Sequence, residues 1–132
     1  VPAPAQGALA VECRTENPAL VKLLSIVDDP LTRATVLAER TVLAELEAGC
    51  MAPLGVYGEL VDAPQEKRLP GTLLGEQFQL HGAVVAIDGR RALRRTIQVT
   101  RHELMSDAKK IGRRLAADLL GDGAATLIGE ER

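Results

Sequence analysis

The chain has 132 residues, of which 46% are hydrophobic and 26% charged, and its formal net charge is -2. This length and composition are typical of one globular domain, or of one domain with a fragment of another. The charge balance gives no electrostatic footprint for nucleic acid, and no apolar run reaches the ~18 residues of a membrane span. No charged-then-apolar leader is present, so a cytoplasmic protein without nucleic-acid or membrane partners is expected.

The first part of the chain, residues 1–28, is predicted to hold an extended segment, a strand and a helix. The chain does not begin with Met, which we interpret as a cut inside a larger protein or a processed terminus. Residues 8–13 are mostly apolar and predict a short buried strand. Asn17 and Pro18 supply an N-cap and a first helical residue. The apolar positions that follow at helical spacing are Leu20, Leu23, Leu24 and Val27.

A second helical pattern begins at Asp29 and Pro30 and runs towards Cys50. Its predicted core-facing positions are Leu31, Ala34 or Thr35, Ala38, Val42 and Leu46. The charged residues predicted to lie on its solvated surface are Glu39, Arg40, Glu45 and Glu47. We expect Gly49 to supply the left-handed backbone that ends the helix, and Pro53 to prevent the helix from resuming.

Three strands are predicted in the second half of the chain. Residues 54–61 and 77–86 alternate well enough to be strands, and residues 62–75 between them are predicted as a long loop. The dipeptide Asp88-Gly89 is a strong hairpin signal, after which residues 91–99 return antiparallel. The residues expected on the buried face are Phe78, Leu80, Val84 and Ala86 of the second strand and Leu93, Ile97 and Val99 of the third.

A final helix is predicted between Ser106, as its N-cap, and Gly121, which closes it. Its apolar stripe consists of Ala108, Ile111, Leu115 and Leu119. The order of elements after residue 28 predicts an α+β fold, with helices covering one face of a three-stranded antiparallel sheet. We expect residues 29–132 to form this C-terminal domain, and residues 1–28 to be a strand-helix remnant of an upstream α/β domain.

Few polar residues outside the helices indicate chemistry. His81 and His102 lie too far apart, with too few carboxylates nearby in the sequence, to predict a metal site. His81 is expected on the solvent side of its strand or in a polar pair. The pairs Arg90-Arg91 and Arg94-Arg95 fit either a polycarboxylate or partner site, or protection of the sheet edge, and protection is the more common use of charge at a hairpin.

Cys50 carries the most information in the sequence. It and Cys13 are the two cysteines, they have no metal-ligand spacing, and a reduced pair is expected. Cys50 follows a helix C-terminus, where the macrodipole disfavours a thiolate, which argues against an activated catalytic thiol. A thiol that is alkylated once and then stays modified needs no activation. The residues alone favour a structural cysteine and leave open an attachment site, a redox role or a metal role.

Two stretches of the sequence resemble the porphobilinogen deaminase family. The first is Ala38-Glu39-Arg40 followed by Leu46-Glu47-Ala48-Gly49-Cys50-Met51-Ala52-Pro53-Leu54-Gly55. It resembles the family signature A-E-R, six to seven residues, then E-G-G-C-x-x-P-hydrophobic-G. The second is the run VPAPAQGALAVECR at residues 1–14, which resembles P-A-x-G-Q-G-A-hydrophobic-x-hydrophobic-E-C-R. The resemblance covers essentially the whole chain and implies the C-terminal portion of a three-domain enzyme, hydroxymethylbilane synthase.

The resemblance also implies a cofactor and its attachment point. Cys50 falls on the family cysteine that holds a dipyrromethane cofactor through a thioether, and Gln6 and Gly7 match a loop near that cofactor and the growing chain. Four porphobilinogen units are added to this primer with loss of ammonia, and hydroxymethylbilane is released. The family's catalytic aspartate and most of its carboxylate-binding arginines belong to domains 1 and 2. No catalytic residue and no metal ligand is therefore expected here, the chain alone is expected to be inactive, and the full-length protein is expected to be a monomer.

The sequence departs from the family pattern at two glycines. Ala5 and Ala48 replace them, and Ala5 is expected to stiffen or shift the loop at the cofactor edge. Arg40 fits either a supporting contact at the site or a salt bridge with a nearby glutamate. Two alternatives stay open at this point: a small non-enzymatic binding or interaction module with a structural Cys50, and an inactive paralogue of the enzyme.

Overall fold

The structure is a computed structural model that describes residues 1–47, 52–62 and 76–129. The helices are α1 (Pro18–Leu24), α2 (Pro30–Glu45), α3 (Arg101–Ser106), α4 (Ala108–Gly121) and α5 (Ala124–Gly129). The strands are β1 (Leu54–Val61), β2 (Gln77–Val85) and β3 (Ala92–Thr100). Most of the loop predicted over residues 62–75 lies outside the described residues. The predicted α+β fold is confirmed.

The three strands form one antiparallel sheet in the order β1-β2-β3. The hairpin predicted at Asp88-Gly89 joins β2 to β3, with Gly89 at φ 70° and its N–H donating to Ala86 O over 2.8 Å. Strand alternation places one set of side chains against the helices. The fully buried members of that set include Val56, Phe78, Leu80 and Val84.

Helices α2 and α4 cover this inner face of the sheet, and their predicted stripes are confirmed. Ala38 and Val42 of α2 and Leu115 and Leu119 of α4 are all fully buried. The two helices approach closely at Gly112, where an added Cβ would lie 2.5 Å from Ala38 O. The other face of the sheet is not covered by any of the described helices, and it includes the exposed side chains of Tyr57 and Val85.

The N-cap of α4 differs from the prediction. Ser106 is the last residue of α3, and its hydroxyl donates to Glu103 O over 2.9 Å. The N-cap of α4 is Asp107, whose carboxylate accepts from Lys110 N over 2.9 Å. The prediction of Ser106 was wrong because the short helix α3, which Thr100 caps, had not been recognised.

The end of α2 also differs from the prediction. The helix stops at Glu45, Leu46 is its C-cap, and Glu47 adopts the left-handed backbone with φ 48°. The left-handed residue at the helix end is therefore Glu47, two positions earlier than Gly49. Gly49 itself lies outside the described residues.

Residues 8–13 do not form the predicted strand, although the predicted helix follows them as α1. Leu9 is 96% exposed, and α1 contains no buried residue. The Asn17 cap is present, with its side chain accepting from Leu20 N over 3.1 Å. Local signals thus suffice for the helix, whereas a strand needs a neighbour for its backbone hydrogen bonds, and none of the described residues supplies one.

Candidate functional site

Cys50 and its neighbours, residues 48–51, lie outside the described residues, and the structure defines what borders them. On one side is the end of α2, closed by the left-handed Glu47. On the other side are Ala52 and Pro53, which lead directly into β1 at Leu54. The connection that carries Cys50 therefore runs from the C-terminus of a core helix to the first strand of the sheet.

A groove of about 540 Å³ begins where this connection enters the sheet. It is lined by Val1, Ala52, Pro53, Leu54, Gly55, Ala83, Val85 and Arg94. Ala83 is the register partner of both Gly55 and Arg94, so the side chains of Ala83 and Arg94 share one face of the sheet. This face points away from the helices, because the adjacent residues Leu54 and Val84 are buried on the opposite, inner face. The groove is mostly apolar and has one cationic side chain at its rim.

The segment that precedes Gln6 crosses the free edge of β1. Val56 N donates to Pro2 O over 2.9 Å. An added Cβ at Gly55 would lie 2.6 Å from Val1 O, so a side chain at this position would collide with the crossing backbone. The first residues of the chain are thus fitted directly against the strand that follows Cys50.

Gln6 and Gly7, the other predicted site residues, lie in a tight turn beyond this crossing. Gln6 N donates to Ala3 O over 3.1 Å and Ala8 N donates to Ala5 O over 3.2 Å. The backbone φ angles are 62° at Ala5 and 90° at Gly7, both in the left-handed region. Ala5 therefore adopts a backbone conformation that glycine would adopt more easily.

This turn forms one wall of a second groove, of about 440 Å³. The opposite walls come from α2 and β1 and include Leu31, Thr35, Tyr57 and Gly58. Both grooves are bordered by residues 1–8 and by β1. The structure therefore brings Gln6 and Gly7 to the same strand that Cys50 precedes, while the distance from Cys50 to either residue lies outside what the structure describes.

Glu39 was predicted on the solvated surface of α2, and this prediction is wrong. Its side chain is buried, with a residue exposure of 6%. Its carboxylate accepts from Ala5 N over 2.7 Å and from Gly58 N over 2.8 Å. The two donors lie 34 and 19 residues away in the sequence, so no local pattern could have indicated the contact.

His81 lies in a polar cluster on the uncovered face of the sheet, as the sequence predicted. Its Nδ1 is 2.9 Å from Thr96 Oγ1 and its Nε2 is 3.2 Å from Glu59 Oε1. Its ring stacks on Tyr57 with centroids 6.5 Å apart. Both ring nitrogens have partners, so this histidine is held by the sheet.

The arginines of the hairpin have different surroundings. Arg95 points to the helical side and makes a two-pronged contact with Asp122, at 2.6 and 2.7 Å. Arg94 lines the groove next to Pro53, and Arg90 lies 4.0 Å from Asp88. Arg40 is exposed, and among the described residues it has no salt bridge with a glutamate. Arg94 therefore borders the candidate site.

Among the described residues, the two carboxyl groups with shifted pKa values belong to helix caps and not to the grooves. The pKa of Glu103 lies below its usual value because the backbone N–H and the hydroxyl of Thr100 donate to its carboxylate. The pKa of Asp29 is lowered by the hydrogen bonds from Thr32. Within residues 1–47, 52–62 and 76–129, no group of three potential metal ligands converges, and no helix is both long and apolar enough to cross a bilayer.

Comparison with known proteins identifies the family. The profile of the porphobilinogen deaminase C-terminal domain matches residues 33–121. The chain belongs to the porphobilinogen deaminase family. It is 45% identical over 130 residues to the porphobilinogen deaminase of Nocardia farcinica, covering 98% of this chain and 35% of that relative. It is 42% identical to porphobilinogen deaminase 1 of Streptomyces avermitilis, covering 98% and 38%, and 43% identical to the enzyme of Mycobacterium avium, covering 100% and 39%.

The chain thus spans between one third and two fifths of the length of these porphobilinogen deaminases, and it corresponds to their C-terminal portion. The resemblance that the two sequence stretches suggested is confirmed at the level of the family. The roles of Cys50, Gln6 and Gly7 stay predictions.

Proposed function

We propose that this chain is the C-terminal part of a hydroxymethylbilane synthase in which Cys50 holds a dipyrromethane cofactor through a thioether. The longer enzyme would join four porphobilinogen units with loss of ammonia and release hydroxymethylbilane. The observation that carries the proposal is the similarity of the whole chain to porphobilinogen deaminases, with a cysteine at the signature position.

The groove beside Pro53 suits a bulky group attached to the sulfur of Cys50, a residue shortly before it in the sequence. The groove beside Pro53 has apolar walls that include Ala83 and Val85, against which pyrrole rings can pack. Arg94 at its rim supplies a guanidinium, which matches the geometry of carboxylate groups such as pyrrole side chains carry. The bound cofactor would supply the primer on which the new chain grows, and the protein's part here is to hold it in place.

Gln6 and Gly7 are proposed to lie near the cofactor and the growing chain. A Cβ added at Gly7 would meet no atom within 4 Å, so the backbone there faces open space and a ligand can approach it closely. The turn that presents both residues is fixed against β1, the strand that follows the attachment cysteine. These features support a role for Gln6 and Gly7 as part of the wall of a binding groove. They assign no acid-base step to either residue.

Residues 1–28 are proposed to belong structurally to the part of the protein that precedes this domain, and residues 29–132 to form domain 3. Helix α1 has no buried residue, and its apolar side chains are exposed, with Val21 at 44% and Leu23 at 62%. By contrast, α2 buries its stripe in the core of the domain. In the longer protein, domains 1 and 2 would cover the apolar side chains of α1 and supply the catalytic residues.

Intact mass spectrometry of the full-length protein tests the attachment. The wild type is expected to carry an adduct of two pyrrole rings, which Cys50→Ala removes. Cys13→Ala is the matched control and is expected to keep the adduct, because Cys13 is a free, partly buried thiol and lies outside the stretch of the signature that contains Cys50. An adduct that persists in Cys50→Ala, or a wild type without one, contradicts the proposal and favours a structural cysteine.

The 132-residue chain by itself is expected to show no turnover of porphobilinogen, since the family's catalytic residues belong to the preceding domains. Product formation by the isolated chain would contradict this expectation. A full-length protein that carries the adduct but makes no product would indicate the inactive paralogue.

A further inference from the structure

The buried carboxylate of Glu39 joins three separate parts of the chain. It projects from α2, its Oε1 accepts from Gly58 N of β1, and its Oε2 accepts from Ala5 N in the turn that carries Gln6 and Gly7. Both donor-acceptor distances, 2.8 and 2.7 Å, fall in the range of charge-assisted hydrogen bonds. Each oxygen therefore serves a different segment.

The geometry of β1 explains why a carboxylate is needed there. In an edge strand, alternate N–H groups point away from the sheet and lack a strand partner. On β1 these include Val56, which donates to Pro2 O, and Gly58, which donates to Glu39. Gly58 has no room for a side chain, because an added Cβ would lie 2.6 Å from the Phe78 ring and 2.8 Å from a methyl group of Thr35.

The turn at residues 3–8 depends on an acceptor at this place. Ala5 adopts a left-handed backbone that disfavours any residue with a Cβ by about 1–2 kcal/mol. Without Glu39, its part-buried N–H would lose its partner, and leaving such a donor unsatisfied carries a further cost. Glu39 therefore compensates for a conformation that the local sequence does not favour.

We propose that Glu39 is a positioning residue: its carboxylate fixes the turn carrying Gln6 and Gly7 against β1 and so sets the wall of the groove between them. The inference has a structural half, that Glu39 holds the turn against β1, and a functional half, that the held turn is needed for activity. Only the functional half rests on the proposed role of Gln6 and Gly7. Glu39 lines the same groove, but both of its carboxylate oxygens accept from backbone N–H groups, so it acts through the turn.

The structural half is tested in this chain by hydrogen exchange of the Ala5 and Gly58 amides, observed by NMR with labelled alanine and glycine. In Glu39→Gln the side chain keeps its size but has one acceptor oxygen, and its NH₂ group faces the second donor. We expect at least one of the two amides to exchange about tenfold faster, as loss of one such hydrogen bond implies. The control is Glu45→Gln on the exposed side of the same helix, which should leave both amides unchanged.

Two results would overturn the structural half. One is a wild type in which both amides exchange at the rate of an open chain, a measurement that needs no variant and remains decisive even where Glu39→Gln fails to fold. The other is a folded Glu39→Gln protein with both amides as protected as in the wild type.

The functional half is tested in the full-length protein. Glu39→Gln is expected to retain the mass adduct at Cys50 but to lower kcat/KM by on the order of 10- to 100-fold, since small misplacements of a binding wall have effects of this size. Glu45→Gln should keep the wild-type kcat and KM. Wild-type kinetics in Glu39→Gln, together with faster amide exchange, would refute the functional role and show that Glu39 only stabilises the turn. Absence of turnover or of the adduct in the wild type would instead refute the proposed function itself.

Discussion

Replacing Gly112 by alanine tests the closest approach between α2 and α4. Intrinsic helix propensity alone predicts that Gly112→Ala stabilises the protein by about 1 kcal/mol, since Gly112 lies in the interior of α4. The structure predicts the opposite sign. The new Cβ would lie 2.5 Å from Ala38 O and 2.7 Å from Thr41 Cβ, whereas ordinary contacts begin at 3.4 Å.

The size of the effect follows from this distance. To restore an ordinary contact, α4 would have to withdraw from α2 by the difference between 2.5 and 3.4 Å, against a backbone oxygen that cannot rotate away. Such overpacking typically costs about 1–3 kcal/mol, and the neighbouring core residues Ile111 and Leu115 would lose contact as well. Because the contact is with a backbone oxygen, we expect a cost in the upper part of this range, which after the gain of about 1 kcal/mol in propensity leaves a net loss of up to about 2 kcal/mol in the free energy of unfolding.

Urea unfolding of the 132-residue chain, followed by circular dichroism, measures this loss as a lower midpoint at unchanged slope. The matched control is Gly121→Ala at the end of the same helix, where an added Cβ meets no atom within 4 Å. Its midpoint should stay the same or rise slightly. A Gly112→Ala midpoint equal to or above the wild-type value would refute the packing argument and show that propensity decides.

Two further outcomes follow from backbone strain and from a cap. Ala5→Gly is expected to raise the stability of the turn by about 0.5–1 kcal/mol, because relief of the left-handed strain exceeds the added freedom of glycine in the unfolded chain. Because Ala8 N donates to the carbonyl oxygen of residue 5, the Ala8 amide should then exchange more slowly. Faster exchange of this amide would contradict the prediction. The pKa of Glu103 in the folded state lies below the ordinary value of a glutamate, so its stabilising contribution is present above that ordinary value and is lost as the pH falls through the lower folded pKa. Glu103→Gln should therefore reduce the acid dependence of the unfolding midpoint, and an unchanged dependence would exclude this cap as a contributor.

Most of the domain could be predicted because its signals are local. The Asp29 cap, the Asp88-Gly89 hairpin and the stripes of α2 and α4 each depend on residues a few positions apart. Helix α3 was missed although Thr100 and Glu103 form a capping box, a spacing that is visible in the sequence.

The other features that sequence reasoning missed depend on distant parts of the chain. The burial of Glu39 requires that residues 5 and 58 meet it, and the failure of residues 8–13 to form a strand depends on the lack of a neighbour among the described residues. Cys50 could be recognised only through the family signature, because a cysteine after a helix end has no specific physical signal of its own.

The glycines at which a Cβ would collide have a consequence for how substitutions in this protein are interpreted. At Gly55 the new atom would meet the backbone of Val1, at Gly58 the Phe78 ring, and at Gly112 the backbone of Ala38. Single substitutions at Gly55, Gly58 and Gly112 are therefore expected to be poorly tolerated, although none of these residues has a side chain that could act in chemistry. Loss of stability at these glycines would mark the places where segments of the domain pack most closely. Residues that bind the substrate would differ from them, because their variants should lose activity and still fold.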